Sequence, residues 1–315
     1  MTNPALCAEN HCLNWKEKYG MMPTVRCRRG SVQGVRVLNA AADNITNRRL
    51  AVLIDADNVP RGTLKGIMEE VAVQGTPTIK RIYGDWTSPN IGGWKTSLLE
   101  NAVTPIQQYG YTTGKNSTDS AMIIDAMDIL YSGRVDGFVL VSSDSDFTRL
   151  AIRLREAGMY VIGIGEKKTP NPFIVACDKF IYIEVIRQHA ESRAAAESAA
   201  APAAEPQEGA KNAEKKQKPQ QQAQKKPEKE RVPKKIVDLI AESVADLSSF
   251  TDDGGYVFMG ELGNLILKKQ PDFDCRNFGF KSLSALIKSL DRFEVDFRQT
   301  TDPNIKHPYV RDREA

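Results

Sequence analysis

Acidic residues gather where apolar runs end. Asp55-Ala56-Asp57-Asn58 follows the run Leu50 to Ile54, and Asp144-Ser145-Asp146 follows Phe138 to Val141. Between them lie Ser117-Thr118-Asp119 and Ile124-Asp125. If the two runs are neighbouring strands of an open parallel sheet, their ends border the crevice where such sheets bind ligands. Carboxylates converging there repel one another unless a cation sits between them. A set of hard oxygen donors suits Mg²⁺ or Mn²⁺. The chemistry expected from that arrangement is metal-assisted hydrolysis of a phosphodiester. For each aspartate taken singly, capping of a following helix is the competing role. Asp125 lies about 120° around a helix from Asp119, so it is read either as a solvent-face residue or as a supporting group, and not as a ligand. Lys115, in the loop Gly114 to Asp119, is placed to meet a phosphate or to neutralise the acids. Trp86 follows another strand-like run, and base stacking and packing both remain open for it.

Other chemistries find little support. The histidines His11, His189 and His307 lie outside the strand-rich region, so no Ser-His-Asp set forms. Neither a P-loop nor a Gly-x-Gly-x-x-Gly turn is present, and Gly163-Ile164-Gly165 alone is a weak signal. Cys7, His11, Cys12 and Cys27 offer zinc donors, but their spacing fits no finger or ribbon. Reduced thiols in a cytoplasmic protein are the simpler reading.

The elements that must position the acids alternate between strand and helix. Strands are expected at Leu50 to Ile54, Thr78 to Tyr83, Thr104 to Tyr109, Gly137 to Ser142, Tyr160 to Ile164 and Phe180 to Tyr182. Helices are expected around Leu64 to Val71, at Trp94 to Asn101, from Ser117 to Tyr131, and from Phe147 to Ala157 with Gly158 as the stop. This alternation predicts an α/β domain: a mostly parallel sheet flanked by helices. Residues 1–48 show no periodicity and are read as a disordered leader. Residues 189–231 are rich in Ala, Glu, Lys, Gln and Pro, nearly without branched apolar or aromatic residues, and read as a disordered linker. Helical stripes return at Ile236 to Leu247, Leu262 to Leu267 and Leu283 to Leu290, with strand-like pieces at Tyr256 to Phe258 and Phe293 to Phe297. They predict a small winged-helix-like domain over 232–312. The whole chain has 315 residues, 41% of them hydrophobic and 26% charged, with net charge +3, so a soluble protein of two domains is expected. No apolar run reaches the roughly 18 residues of a membrane span.

The motifs Ile54-Asp55-Ala56-Asp57-Asn58, Lys115-Asn116-Ser117-Thr118-Asp119 with Asp125, and Ser142-Ser143-Asp144-Ser145-Asp146-Phe147 resemble those of the NYN domain. That domain is a branch of the PIN-like nuclease superfamily, the likeness is to its LabA-like group, and the resemblance places it over 49–188. It implies that Asp55, Asp119, Asp144 and Asp146 hold Mg²⁺ or Mn²⁺ and act in RNA hydrolysis leaving a 5′-phosphate, with Asn58, Asp125 and Lys115 in support. The segments Gly260 to Lys269, Pro271 to Asp274, Asn277 to Leu283 and Phe293 to Val295 resemble the OST-HTH domain, also called LOTUS. That resemblance implies an RNA-binding module with Lys268, Lys269, Arg276 and Lys281 as candidate RNA contacts, or a site for a protein partner. The combined expectation is a cytoplasmic metal-dependent ribonuclease acting on single-stranded or structured, G-rich RNA, with homodimerisation left open. The competing reading is a non-catalytic adaptor that uses its acids only to hold a structural ion.

Overall fold

The computed structural model describes residues 47–87, 93–109, 117–199, 232–249, 254–299 and 306–314. Most of the expected leader, with Cys7, His11, Cys12 and Cys27, lies outside them, as does Lys115. All described residues fall in one unit, Asp43–Ala315.

Six strands form a parallel sheet: β1 (Arg49–Asp55), β2 (Thr76–Gly84), β3 (Thr104–Gln107), β4 (Gly137–Val141), β5 (Tyr160–Gly165) and β6 (Lys179–Tyr182), in the order β3-β2-β1-β4-β5-β6. β1 is central, and Leu50 to Ile54 are wholly buried. Its side chains alternate between two cores. Leu50, Val52 and Ile54 face the helices α1 (Leu64–Gln74), α2 (Lys95–Asn101) and α6 (Ile183–Ala199). Ala51 and Leu53 face α3 (Ser117–Ser132), α4 (Thr148–Glu156) and α5 (Asn171–Ala176). A strand covered on both faces has no polar side, which is why its sequence is an unbroken apolar run.

The second domain packs α7 (Lys234–Ser248), α8 (Met259–Lys269) and α9 (Leu283–Lys288) against an antiparallel sheet. Its strands are β7 (Val257–Phe258), β8 (Phe293–Gln299) and β9 (Lys306–Asp312), in the order β7-β9-β8. Phe278 and Phe280 pack against this core. β9 was not expected from the sequence because Pro308 sits inside it. Pro308 is tolerated because β7 pairs only with Tyr309 and Val310, so one side of Pro308 needs no ladder hydrogen bond.

Two expectations about the connection between the domains need correction. The helix α6 runs to Ala199, well into the segment read as a linker. Its start carries Ile183, Val185 and Ile186 into the core, and the alanines that follow are strong helix formers. The second domain is also docked on the first, not merely tethered to it. The backbone N–H of Phe180, on the edge strand β6, donates to the Pro271 carbonyl at 2.8 Å. The Tyr182 hydroxyl donates to Asp272 at 2.8 Å. Arg276 donates to both carboxylate oxygens of Glu70, at 2.8 and 3.0 Å, and also pairs with Asp274 at 2.7 Å. An open sheet edge is thereby partly covered.

Candidate metal-binding site

β1 and β4 are neighbours, but the connections that leave them part company. The chain after β1 turns through α1 toward β2 on one face, and the chain after β4 turns through α4 toward β5 on the other. The turns diverge and leave a crevice at the carboxyl ends, the switch point of an open parallel sheet. Every acidic motif of the first domain except Asp125 opens toward this crevice.

Asp55 ends β1 and is 1% exposed. One of its oxygens accepts the Asp57 N–H at 3.0 Å. The other accepts from the Asn58 side-chain amide at 2.7 Å and the Ser142 hydroxyl at 2.9 Å. Burial raises its pKa, and these three hydrogen bonds pull it back down. Ser142 follows β4, with its N–H held by the Ile164 carbonyl at 3.0 Å, and its hydroxyl accepts from the Asp144 N–H at 3.1 Å. Asp144 in turn accepts from the Asp146 N–H at 2.9 Å and caps a single 3₁₀ turn, Ser145–Phe147. Phe147, fully buried, anchors that turn in the core. The expected capping role of Asp144 is therefore real, and it orients the carboxylate without excluding a second role. Gly165 allows a close approach here, because a Cβ would sit 2.7 Å from the Ser142 carbonyl oxygen and 2.6 Å from the Thr169 hydroxyl.

Asp119 lies in the first turn of α3, whose Met122, Ala126 and Ile129 are buried beneath it. Oxygen atoms of Asp119, Asp144 and Asp146 lie within 4.8 Å of one another. Asp119 is 9% exposed, and its pKa is pushed up to about 6, first by burial and then by the charges of Asp55, Asp144, Asp146 and Asp57. The donor set is hard, anionic and mutually repelling, and so fits a divalent cation of the Mg²⁺ or Mn²⁺ type.

The other candidates divide. Asp55 is not one of the three clustered carboxylates. It lies behind them, with both oxygens committed to hydrogen bonds. Asn58 is one of the donors to it. Asp125 is bound by Arg81 and the Tyr83 hydroxyl of β2, so it fastens α3 to the sheet. Trp86 is held in place by its indole N–H donating to the Ile106 carbonyl at 2.9 Å. Among the RNA candidates, Lys268 and Lys281 are exposed. Lys269 pairs with Asp246 and Glu242, at 2.7 and 3.3 Å. Arg276 is taken up by Glu70 and Asp274, so it is an interdomain contact and not a free RNA ligand. Sequence reasoning gave Ser142 no role. The signal that could have found it is a hydroxyl closing a buried strand two residues before an aspartate.

Comparison with known proteins identifies two domains. Residues 49–184 match the NYN domain, and residues 227–305 match the OST-HTH/LOTUS domain. The chain carries an NYN domain followed by an OST-HTH/LOTUS domain. The chain is also similar to three solved structures. A protein of unknown function from Vibrio parahaemolyticus is 20% identical, with 44% of this chain and 93% of that one covered and a TM-score of 0.38. An uncharacterised protein from Nitrosomonas europaea is 34% identical, with 32% and 92% covered and a TM-score of 0.23. A fragment of a Chromobacterium violaceum protein is 27% identical, with 29% and 90% covered and a TM-score of 0.21. No curated protein matches the chain.

The crowding at Asp119 in the NYN domain makes a prediction. A carboxyl whose folded pKa is raised costs stability above its unfolded pKa, and the cost fades as pH falls through the folded value of about 6. With solvent screening allowed for, that cost is on the order of 1 kcal/mol at neutral pH. In chelator at pH 7.5, Asp119→Asn should therefore melt a few degrees, roughly 2–4 °C, above the parent. The advantage should shrink as pH falls below about 6 and be lost only below about pH 4, the unfolded carboxylate value. An Asn variant less stable throughout that range would show that the carboxylate is held by favourable contacts and not crowded.

Proposed function

We propose that this protein is a divalent-metal-dependent ribonuclease whose NYN domain cuts RNA and whose OST-HTH/LOTUS domain helps to hold it. The observation that carries the reading is the convergence of Asp119, Asp144 and Asp146 at the sheet's switch point. Those three side chains would hold Mg²⁺ or Mn²⁺. When bound, such an ion lowers the pKa of a water and offsets charge building on the phosphate.

The residues of the chain do the positioning. Ser142 links the two strand ends by donating to Asp55 and accepting from the Asp144 N–H, which fixes the Asp144 carboxylate relative to β1. The buried Phe147 and the cap on the Asp146 N–H hold the turn that carries the Asp146 carboxylate, and α3 carries Asp119. Asp55 adds negative charge beneath the cluster and supports binding of a cation without needing to touch it. In the net reaction water adds to phosphorus and one P–O ester bond breaks, leaving a 5′-phosphate on one product and a hydroxyl on the other.

The test is cleavage of end-labelled single-stranded and G-rich RNAs by the full chain in Mn²⁺, in Mg²⁺ and in chelator. Products should form with metal and disappear with chelator. Binding without cleavage under every metal condition would instead make the protein an adaptor.

A further inference from the structure

The two docked domains enclose a cleft of about 670 Å³, lined by Arg48, Arg155, Lys179, Lys268 and Lys269, with Asp178 as its one carboxylate. It lies at the sheet edge opposite the acidic cluster. Arg48 precedes β1, Lys179 opens β6, and Tyr160, also in the lining, opens β5. The seven residues of β1 separate this edge from Asp55, which at ~3.3 Å per residue is about 20 Å.

Two of the cations are already neutralised, Arg155 by Asp178 at 3.0 Å and Lys269 by Asp246 at 2.7 Å. Among the described residues, Arg48, Lys179 and Lys268 form no ion pair. Arg48 lies over the Tyr160 ring, 4.2 Å from its centroid. Lys179 donates to the Gln74 side-chain oxygen at 3.2 Å, and burial works against its charge. Lys268 is exposed on α8 of the second domain. The unpaired charges thus come from both domains and face one cleft.

We propose that this interdomain cleft is a second RNA-binding site, a groove that takes the phosphates of a single strand about 20 Å from the cutting centre. The proposal rests on the RNA-binding half of the function above and not on cleavage. RNA is favoured over an acidic peptide because the groove offers a layered surface as well as charge. A guanidinium stacked on a tyrosine can carry a base and meet a phosphate, whereas a run of carboxylates would use the charge alone. Since the groove exists only while the domains are docked, the docking contacts position its two halves.

The test uses the full chain in chelator, with a labelled single-stranded RNA and a salt titration between about 50 and 200 mM. Each phosphate contact to a single strand contributes roughly 0.7 to the slope of log affinity against log salt. Arg48→Ala with Lys268→Ala removes two of the three unpaired cations. It should weaken binding about tenfold or more at low salt and flatten the slope by about 1.4. Lys268 is exposed and Arg48 is half-buried over Tyr160, so the melting temperature should fall by no more than a few degrees while the affinity is lost. Arg187→Ala with Lys65→Ala, two exposed cations outside the cleft, should leave affinity and slope near those of the parent. Parental affinity and slope in the cleft variant would overturn the proposal. So would an equal loss in the control pair, which would mean diffuse attraction to a basic surface. Cleft-dependent capture of polyglutamate with no RNA affinity would overturn it in favour of an acidic protein. A protein that binds RNA through the cleft yet cuts nothing in any metal would sink the nuclease reading and leave this one standing.

Discussion

Replacing Asp144 by Asn is expected to lower metal-dependent RNA cleavage about a thousandfold or more, equivalent to about 4 kcal/mol of transition-state stabilisation. The fold should survive. The Asp144 oxygen that accepts the Asp146 N–H at 2.9 Å can be replaced by the carboxamide oxygen, so the cap on the turn is kept. What is lost is one negative charge and one anionic donor out of three. The melting temperature in chelator should therefore be unchanged or slightly higher, because a repulsion with Asp119 and Asp146 has gone.

Asp55→Asn should behave differently, and the contrast tests the division of labour within the site. One Asp55 oxygen faces the Asp57 N–H, and the other faces donors from Asn58 and Ser142. The Asp57 N–H can only donate, so the amide NH₂ must turn toward Asn58 and Ser142, whose amide and hydroxyl would have to flip and rotate to accept it. At 1% exposure no water relieves the conflict. The cost should be about 1–3 kcal/mol of stability, with lost activity following from a disordered strand end. Single-turnover cleavage beside thermal melting in chelator separates the two cases. A stable, inactive Asp55→Asn variant would move Asp55 into the ligand set. Parental cleavage by a folded Asp144→Asn variant would remove the site from the chemistry.

The parts that could be read from the sequence are those where one local rule acts alone. The sheet was legible because Leu50 to Ile54 and Phe138 to Val141 are buried on both faces, which leaves no polar residue to blur the pattern. The acidic turns were legible because strand ends at a switch point are where a parallel sheet presents side chains. Whether Asp55 is a ligand or a support was not legible. Its role depends on hydrogen bonds to Asn58 and Ser142, and the latter is 87 residues away. Asp125 was ambiguous for the same reason, since its partners Arg81 and Tyr83 come from β2. The pairing of the basic residues in the second domain was the least legible. Charge can be counted in a sequence, but pairing cannot, and Arg276 and Lys269 are spent on carboxylates that only the folded chain brings near.

Arg276→Met should break the junction between the domains. Its guanidinium reaches Glu70 of the first domain and Asp274 of its own, and the three side chains are 24%, 12% and 15% exposed. Burial works against the arginine's charge, but the hydrogen bonds to Glu70 and Asp274 outweigh it and raise its pKa. Methionine keeps most of the volume and removes the charge, which leaves two largely buried carboxylates facing each other with Lys179 as their neighbouring cation. Losing one partner of a buried set costs more than the set contributes, about 2–4 kcal/mol here with partial solvent access allowed for. Only two other interdomain hydrogen bonds are described close by, Phe180 N–H to Pro271 and Tyr182 to Asp272, and neither carries a charge on both sides. The expected consequence is detachment of the second domain while each core stays folded, since the three apolar clusters are built from other residues. The Phe180 amide reports the event directly. It lies on the edge strand, and its acceptor is the carbonyl of Pro271, so its hydrogen exchange should speed up sharply in the variant while amides of β1 and β4 keep their protection. Unchanged protection at Phe180 would mean that the edge-strand bond and the tyrosine hold the domains without the arginine, and that Arg276 only tightens a junction already made.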